Sequence, residues 1–232
     1  MKKYIRLTLA LTFLCAAMST AALASSMYLV QGIPGRDYAA ATDPAFPVDV
    51  LVNDEVCYVR GLPYGAIQGP LTLFPGTYNL KVSIANSLAP CTNSPLINHS
   101  VTIEARKDVS AVLALNEDGT PTLLTFTNDL SPVTDGLSRV LFAQAAGGPA
   151  VQVILQNTTT KKLYTYSVKP GALLEADLPA GNYTVEINQG TTTLVAPTFL
   201  ALDSQSVNLL YAVGEVANNT VALQSRTLKD VI

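Results

Sequence analysis

The sequence predicts an all-β protein: two tandem β-sandwich domains behind a signal peptide. Three observations carry this reading. LFPGTYNLKV, from Leu73 to Val82, recurs as LPAGNYTVEI from Leu178 to Ile187. Apolar residues alternate with polar ones in short runs punctuated by Gly, Pro and Asn, the period of a half-buried strand. The first two dozen residues are ordered like an export address.

Lys2, Lys3 and Arg6 make a basic start, LTLALTFLCAAM an apolar middle, and Ala22-Leu23-Ala24 a small-residue cleavage site. Residues 1–24 are therefore read as a signal peptide and the mature chain as beginning near Ser25. The apolar run falls short of the roughly 20 residues that span a bilayer, and no transmembrane segment is expected in the mature chain. Cys15 follows Phe13-Leu14 inside the apolar run, without the small residue that precedes a lipidated cysteine. Cleavage removes three basic residues, so 14 basic against 17 acidic become 11 against 17. That acidic balance argues against a nucleic-acid partner, whose phosphates select a basic face.

The first domain is placed at residues 25–130. Val48, Val50 and Val52 alternate with Asp49, Leu51 and Asn53, and Tyr78, Leu80 and Val82 with Thr77, Asn79 and Lys81. About seven such strands per hundred residues, each burying one face, are satisfied by two sheets packed face to face. Pro75-Gly76 and Ala180-Gly181 supply a turn before a strand whose tyrosine, Tyr78 or Tyr183, opens the inward row. Cys57 and Cys91 remain as an even pair in an exported chain and are predicted to be bridged. One histidine and two separated cysteines offer no metal-ligand spacing.

A linker is expected at 131–137, within NDLSPVTDGLS, and a second sandwich at 138–232. PVDVLVND from Pro47 matches AVQVILQN from Ala150 at an offset of 103, Gly76 matches Gly181 at 105, and DVSAVLAL from Asp108 matches SVNLLYAV from Ser206 at 98. Ordered matches with small drifts indicate duplication of a whole domain.

These phrases, with ATDPAFPVDVLVND from Ala41, LPYGAI from Leu62 and SRVLFAQAAGGPAVQVILQN from Ser138, resemble a bacterial family called domain of unknown function 4397. The resemblance covers nearly all of the mature chain and implies immunoglobulin-like or transthyretin-like sandwiches in an envelope or extracellular setting, without implying a reaction. The family's Val-His-Ala-Ser-Pro-Asp-Ala-Pro signature has lost its histidine in both copies: Val30 or Gln31 stands near it in the first, Phe142 or Ala143 in the second. Asp49 keeps the family's aspartate and Gln152 replaces it in the second copy.

Chemistry is sparse. His99 is the single histidine, and its neighbour Ser100 points to the other side of a strand, so no triad is predicted. Asp37, Asp43, Asp49, Asp54 and Glu55 cluster in the first copy, which leaves a weak calcium site between the 32–46 loop and the 54–55 turn as an option. No phosphate loop, dinucleotide fingerprint or zinc spacing occurs, and no cofactor is expected. Trp is absent, and a stacking platform would draw on Tyr28, Tyr38, Tyr58 and Tyr64, or on Tyr164 and Tyr166 in the second copy. The Asn-x-Ser/Thr triplets at Asn98, Asn157, Asn182 and Asn218 carry no assignment.

The expected function is that of a noncatalytic, exported structural or adhesive protein of the bacterial surface, envelope or extracellular matrix. Its partners would be other envelope or surface proteins, glycans, or further copies of itself joined through strand edges, with Met27 to Gln31 as the donated strand. The alternative is a soluble glycan- or small-ligand-binding module, with Tyr38, Tyr64 and Asp49 lining a site under the 32–46 loop. A hydrolase dependent on His99 or Asp49 stands third.

Overall fold

The computed structural model describes residues 24–35 and 45–229, and these contain strands and no helix. The expected signal segment, Tyr38, Asp37 and Asp43 lie outside the described residues.

The first half contributes β1 (Ser25–Gln31), β2 (Val48–Val52), β3 (Val56–Leu62), β4 (Ile67–Leu73), β5 (Gly76–Ile84), β6 (Ile97–Ile103), β7 (Asp108–Leu115) and β8 (Pro121–Asn128). They form two sheets, ordered β4-β1-β7-β8 and β3-β2-β5-β6. The second half contributes β9 (Leu137–Gln144), β10 (Val151–Asn157), β11 (Leu163–Val168), β12 (Leu173–Pro179), β13 (Gly181–Gln189), β14 (Thr192–Leu202), β15 (Val207–Val213) and β16 (Ala222–Leu228). Their sheets are ordered β12-β9-β15-β16 and β11-β10-β13-β14. Each strand of the second half takes the place of the strand eight earlier, and the two parallel pairs, β1 with β7 and β9 with β15, coincide. The duplication read from the sequence is a duplication of topology. It holds eight strands per copy rather than about seven.

Each copy closes on its own core. Leu29, Val48, Val50, Leu80, Val82 and Leu113 fill the first, and Phe142, Val153, Leu155, Tyr183, Val185 and Leu210 the second. A third apolar cluster joins them. Tyr28, Val30, Val112 and Phe126 of the first copy pack with Leu141, Leu209, Tyr211 and Val213 of the second. The sheets containing β1 and β9 are thus covered on both faces, and the molecule is a stack of four β layers. A sheet covered on both faces needs strands apolar throughout, which is why VLAL in β7 and LLYAV in β15 lack the alternation of β10.

The third repeat match is offset by 99 rather than 98: Ala111 and Leu113 face the first core as Leu210 and Ala212 face the second, whereas Leu209 faces the joint. With a period of two, a slip of one residue exchanges the faces. Met27 to Gln31 is not a spare strand, because β1 pairs with β4 on one side and β7 on the other.

The joint is close-packed and partly polar. The Gly214 amide donates to the Gly32 carbonyl at 3.1 Å. A Cβ on Gly32 would lie 2.5 Å from the Leu113 carbonyl oxygen and 2.7 Å from a Val213 methyl. The Tyr211 and Ser110 hydroxyls meet at 2.7 Å across the joint, and the Asn128 amide donates to Ser110 at 2.9 Å.

Candidate functional site

The repeated phrase builds the same corner twice. Tyr78 donates its hydroxyl to the Phe74 carbonyl at 2.9 Å, and Tyr183 donates to the Pro179 carbonyl at 2.9 Å. Each ring sits at one end of its sandwich, with its hydroxyl satisfied by the turn four residues upstream. The two ends then diverge. Tyr183 is fully buried, and the Tyr164 ring packs against it with centroids 6.3 Å apart and planes at 48°. Lys162 sets its ammonium 4.8 Å from the centre of the Tyr164 ring.

In the first copy the position of Tyr164 belongs to Val56. Tyr164 pairs with Leu155 across β10 and β11, Val56 pairs with Val52 across β2 and β3, and Leu155 matches Val52 at the offset of 103. A valine leaves the end of the first sandwich open, as an apolar cavity of about 220 Å³. Its floor is Met27, Leu73, Tyr78, Leu80, Val101 and Ile103, and Asn53, Glu55 and Tyr58 stand at the rim. Val56, Tyr58 and Phe74 are exposed at 52%, 44% and 63%, so the apolar surface continues beyond the mouth.

The rim is held by the 53–55 turn. Asn53 and Asp54 adopt left-handed backbone, with φ of 53° and 60°, a conformation Asn and Asp tolerate better than most residues. The Asn53 side chain accepts the Asn79 amide at 2.8 Å, and Asp54 pairs with Lys81 at 2.6 Å. Asp54 and Glu55 thus form the exposed turn that the sequence suggested.

The residues singled out from the sequence do not converge. Asp49 is 1% exposed; its carboxylate accepts the backbone amides of Gly61 at 2.9 Å, Asn86 at 3.1 Å and Cys91 at 2.9 Å, and so shapes the loop that carries Cys91. Tyr64 packs against the joint and donates to the Thr220 carbonyl at 3.4 Å. Tyr38 lies outside the described residues. The tyrosine platform is not assembled, since Tyr28 and Tyr64 belong to the joint and Tyr58 to the cavity rim. Tyr164 and Tyr166 pack against the second core. His99 lies exposed on edge strand β6. Cys57 and Cys91 are bridged, closing a separation of 34 residues. Among the described residues no cluster of three or more His, Cys, Asp or Glu is arranged to hold a metal ion.

Sequence reasoning also missed a polar cleft beside the joint, lined by Arg106, Lys107, Asp108, Asp129 and Glu175. Arg139 stands next to it with carboxylates of Asp129 at 2.7 Å, Asp177 at 2.9 Å and Glu175 at 3.4 Å. Hydrogen bonds from Ser131 hold the Asp129 carboxyl below its ordinary range, while desolvation pushes Glu175 up. The guanidinium is compensated by its neighbours, the arrangement of an ion-pair network tying the two copies together. Gln31 and Gln144 hold matching places: their backbones bond Ala66 and Gly65, or Ala172 and Gly171. Gln31 donates to the Phe46 carbonyl at 2.8 Å and accepts the Ile33 amide at 3.0 Å, whereas the buried Gln144 amide bonds no protein group.

The family model described as Domain of unknown function (DUF4397) matches residues 38–154, running through the first sandwich into β10 of the second. The chain belongs to this family. No curated protein matches it. Among solved structures it is similar to the Bacillus anthracis TIE protein, at 10% identity and a TM-score of 0.28, over 88% of this chain and 34% of that one. The chain therefore spans about a third of that protein's length. No helix among the described residues is long and apolar enough to cross a membrane.

Proposed function

We propose that this member of the family is a noncatalytic, exported binding protein of the cell surface, envelope or extracellular matrix, which holds an apolar group in the open end of its first sandwich. The observation that carries the reading is the contrast between the copies. One fold, written twice, closes its second end with Tyr164 over Tyr183 and leaves the first end open over Tyr78. Had the cavity only a packing role, the aromatic lid would serve both copies equally.

A cavity of about 220 Å³ with an almost wholly apolar floor suits one ring or a short branched alkyl group. It supplies few polar groups to orient a sugar, so an apolar ligand or side chain fits better than a glycan. Export rests on the basic and apolar opening of the sequence and agrees with the Cys57–Cys91 bridge, a bond that persists in oxidising compartments. The ion-paired joint and the third core make the second sandwich a stiff support for the first.

The test is a titration of the full chain, purified as its cell makes it, with benzyl alcohol and with isoamyl alcohol, followed by NMR. Shifts confined to Leu80, Val101, Ile103 and Tyr78, and lost in Val56→Tyr, support the reading. Shifts absent, or equally present around Tyr183, refute it.

A further inference from the structure

The structure assigns the first sandwich two complementary ends, and we infer that the open end receives Leu88 of a second copy, joining chains head to tail. This rests on the reading of that cavity as a binding site. Among the described residues the exposed large apolar side chains are few, and most lie at the two ends of this sandwich. Val56 and Tyr58 line the cavity and Phe74 follows its lining residue Leu73, at the end where β5 begins at Gly76. Ile84 and Leu88 lie at the opposite end, where β5 stops at Ile84 and the chain turns toward β6.

Leu88 is 95% exposed, yet its loop is held from several sides. Asn86 accepts the Leu88 and Ala89 amides at 3.1 Å each. The buried Asp49 carboxylate accepts the Asn86 and Cys91 amides on either side of the tip. The Asn93 amide donates to the Ile84 carbonyl at 2.9 Å, and the Cys57–Cys91 bridge ties the loop to β3. A leucine presented on a clamped tip loses little freedom on docking, which is how preorganisation favours association. This also gives Asp49 and the disulfide one shared task.

Shape and charge select a second copy as the occupant. The cavity is of a size for one branched side chain, and Leu88 offers one on a protruding tip. Phe199, also exposed, lies within edge strand β14 instead of on a tip. Glu55 stands at the cavity rim, while Arg60 lines the hollow beside Asn86, Ser87 and Pro90 at the other end, so docking brings opposite charges together. Because plug and socket sit on opposite ends of one body, the contact is heterologous, and each addition leaves a free plug and a free socket.

The experiment follows mass by sedimentation from about 10 µM to about 1 mM, the range in which a weak contact of this kind populates. The full chain is compared with Leu88→Glu, which keeps the socket, and Val56→Tyr, which keeps the plug. The expected result is a mass that rises with concentration in the parent chain, monomers for each variant alone, and a dimer and nothing larger when the two variants are mixed. Leu88→Glu alters a fully exposed side chain and keeps the fold, so its loss of assembly is informative by itself. Assembly that survives Leu88→Glu, or a parent chain that stays monomeric throughout, overturns the inference. Benzyl alcohol binding by Leu88→Glu then tells which reading failed: binding retained leaves the cavity a ligand site and removes only the second copy, whereas binding lost removes both.

Discussion

One tyrosine anchors the same corner at the end of each sandwich. Tyr78 and Tyr183 fill an apolar end with a ring and return the hydroxyl to a backbone carbonyl four residues back, a local device and hence legible from the repeated phrase. Asp49 was legible only as a polar residue of interest. Its three amide donors lie 12, 37 and 42 residues away, and a single sequence does not display such separations. The valine-for-tyrosine difference at position 56 was equally hidden, because β3 pairs irregularly with β2 and no shared motif aligns Val56 with Tyr164. Tyr183→Phe should cost about 1 kcal/mol, the net worth of one intramolecular hydrogen bond. Tyr78→Phe should cost less, since its hydroxyl and acceptor are exposed. Urea unfolding of the two variants checks the order.

Among the elements, strands of the outer sheets such as β10 and β13 show their alternation plainly, with buried and half-buried or exposed residues in turn. The central strands of the joint do not: β15 is buried at every position, and alternation vanishes where both faces are covered. That is why the sequence match slipped by one residue there and why β1, an apolar segment near the chain's start, read as a strand to be donated. The Cys57–Cys91 bridge was legible from cysteine parity together with the expected export. Closing that loop contributes about 3 to 4 kcal/mol in the chain-entropy model. The double variant Cys57→Ser, Cys91→Ser should lose about that much in urea unfolding and show faster amide exchange from Ala85 to Asn93, with exchange around Tyr183 unchanged.

Across the whole molecule, the sequence showed two sandwiches but not how they meet. They share a third core and a buried hydroxyl pair. Burial pushes the Tyr211 hydroxyl well above the ordinary tyrosine range, with the Ser110 hydrogen bond opposing. Since the folded value lies above the unfolded one, this group's contribution is complete below about pH 10 and is lost as pH rises beyond that. Stability should therefore fall on the alkaline side, and Tyr211→Phe should flatten the fall. Thermal melts from pH 8 to 11 on both proteins check this.

The asymmetry between two copies of one fold is tested most directly by a crystal structure of the full chain under xenon, which enters apolar cavities without needing a polar contact. Xenon is expected in the first sandwich between Tyr78, Leu80 and Val101, and not beneath Tyr164 in the second. Xenon at both ends, or at neither, would contradict that asymmetry.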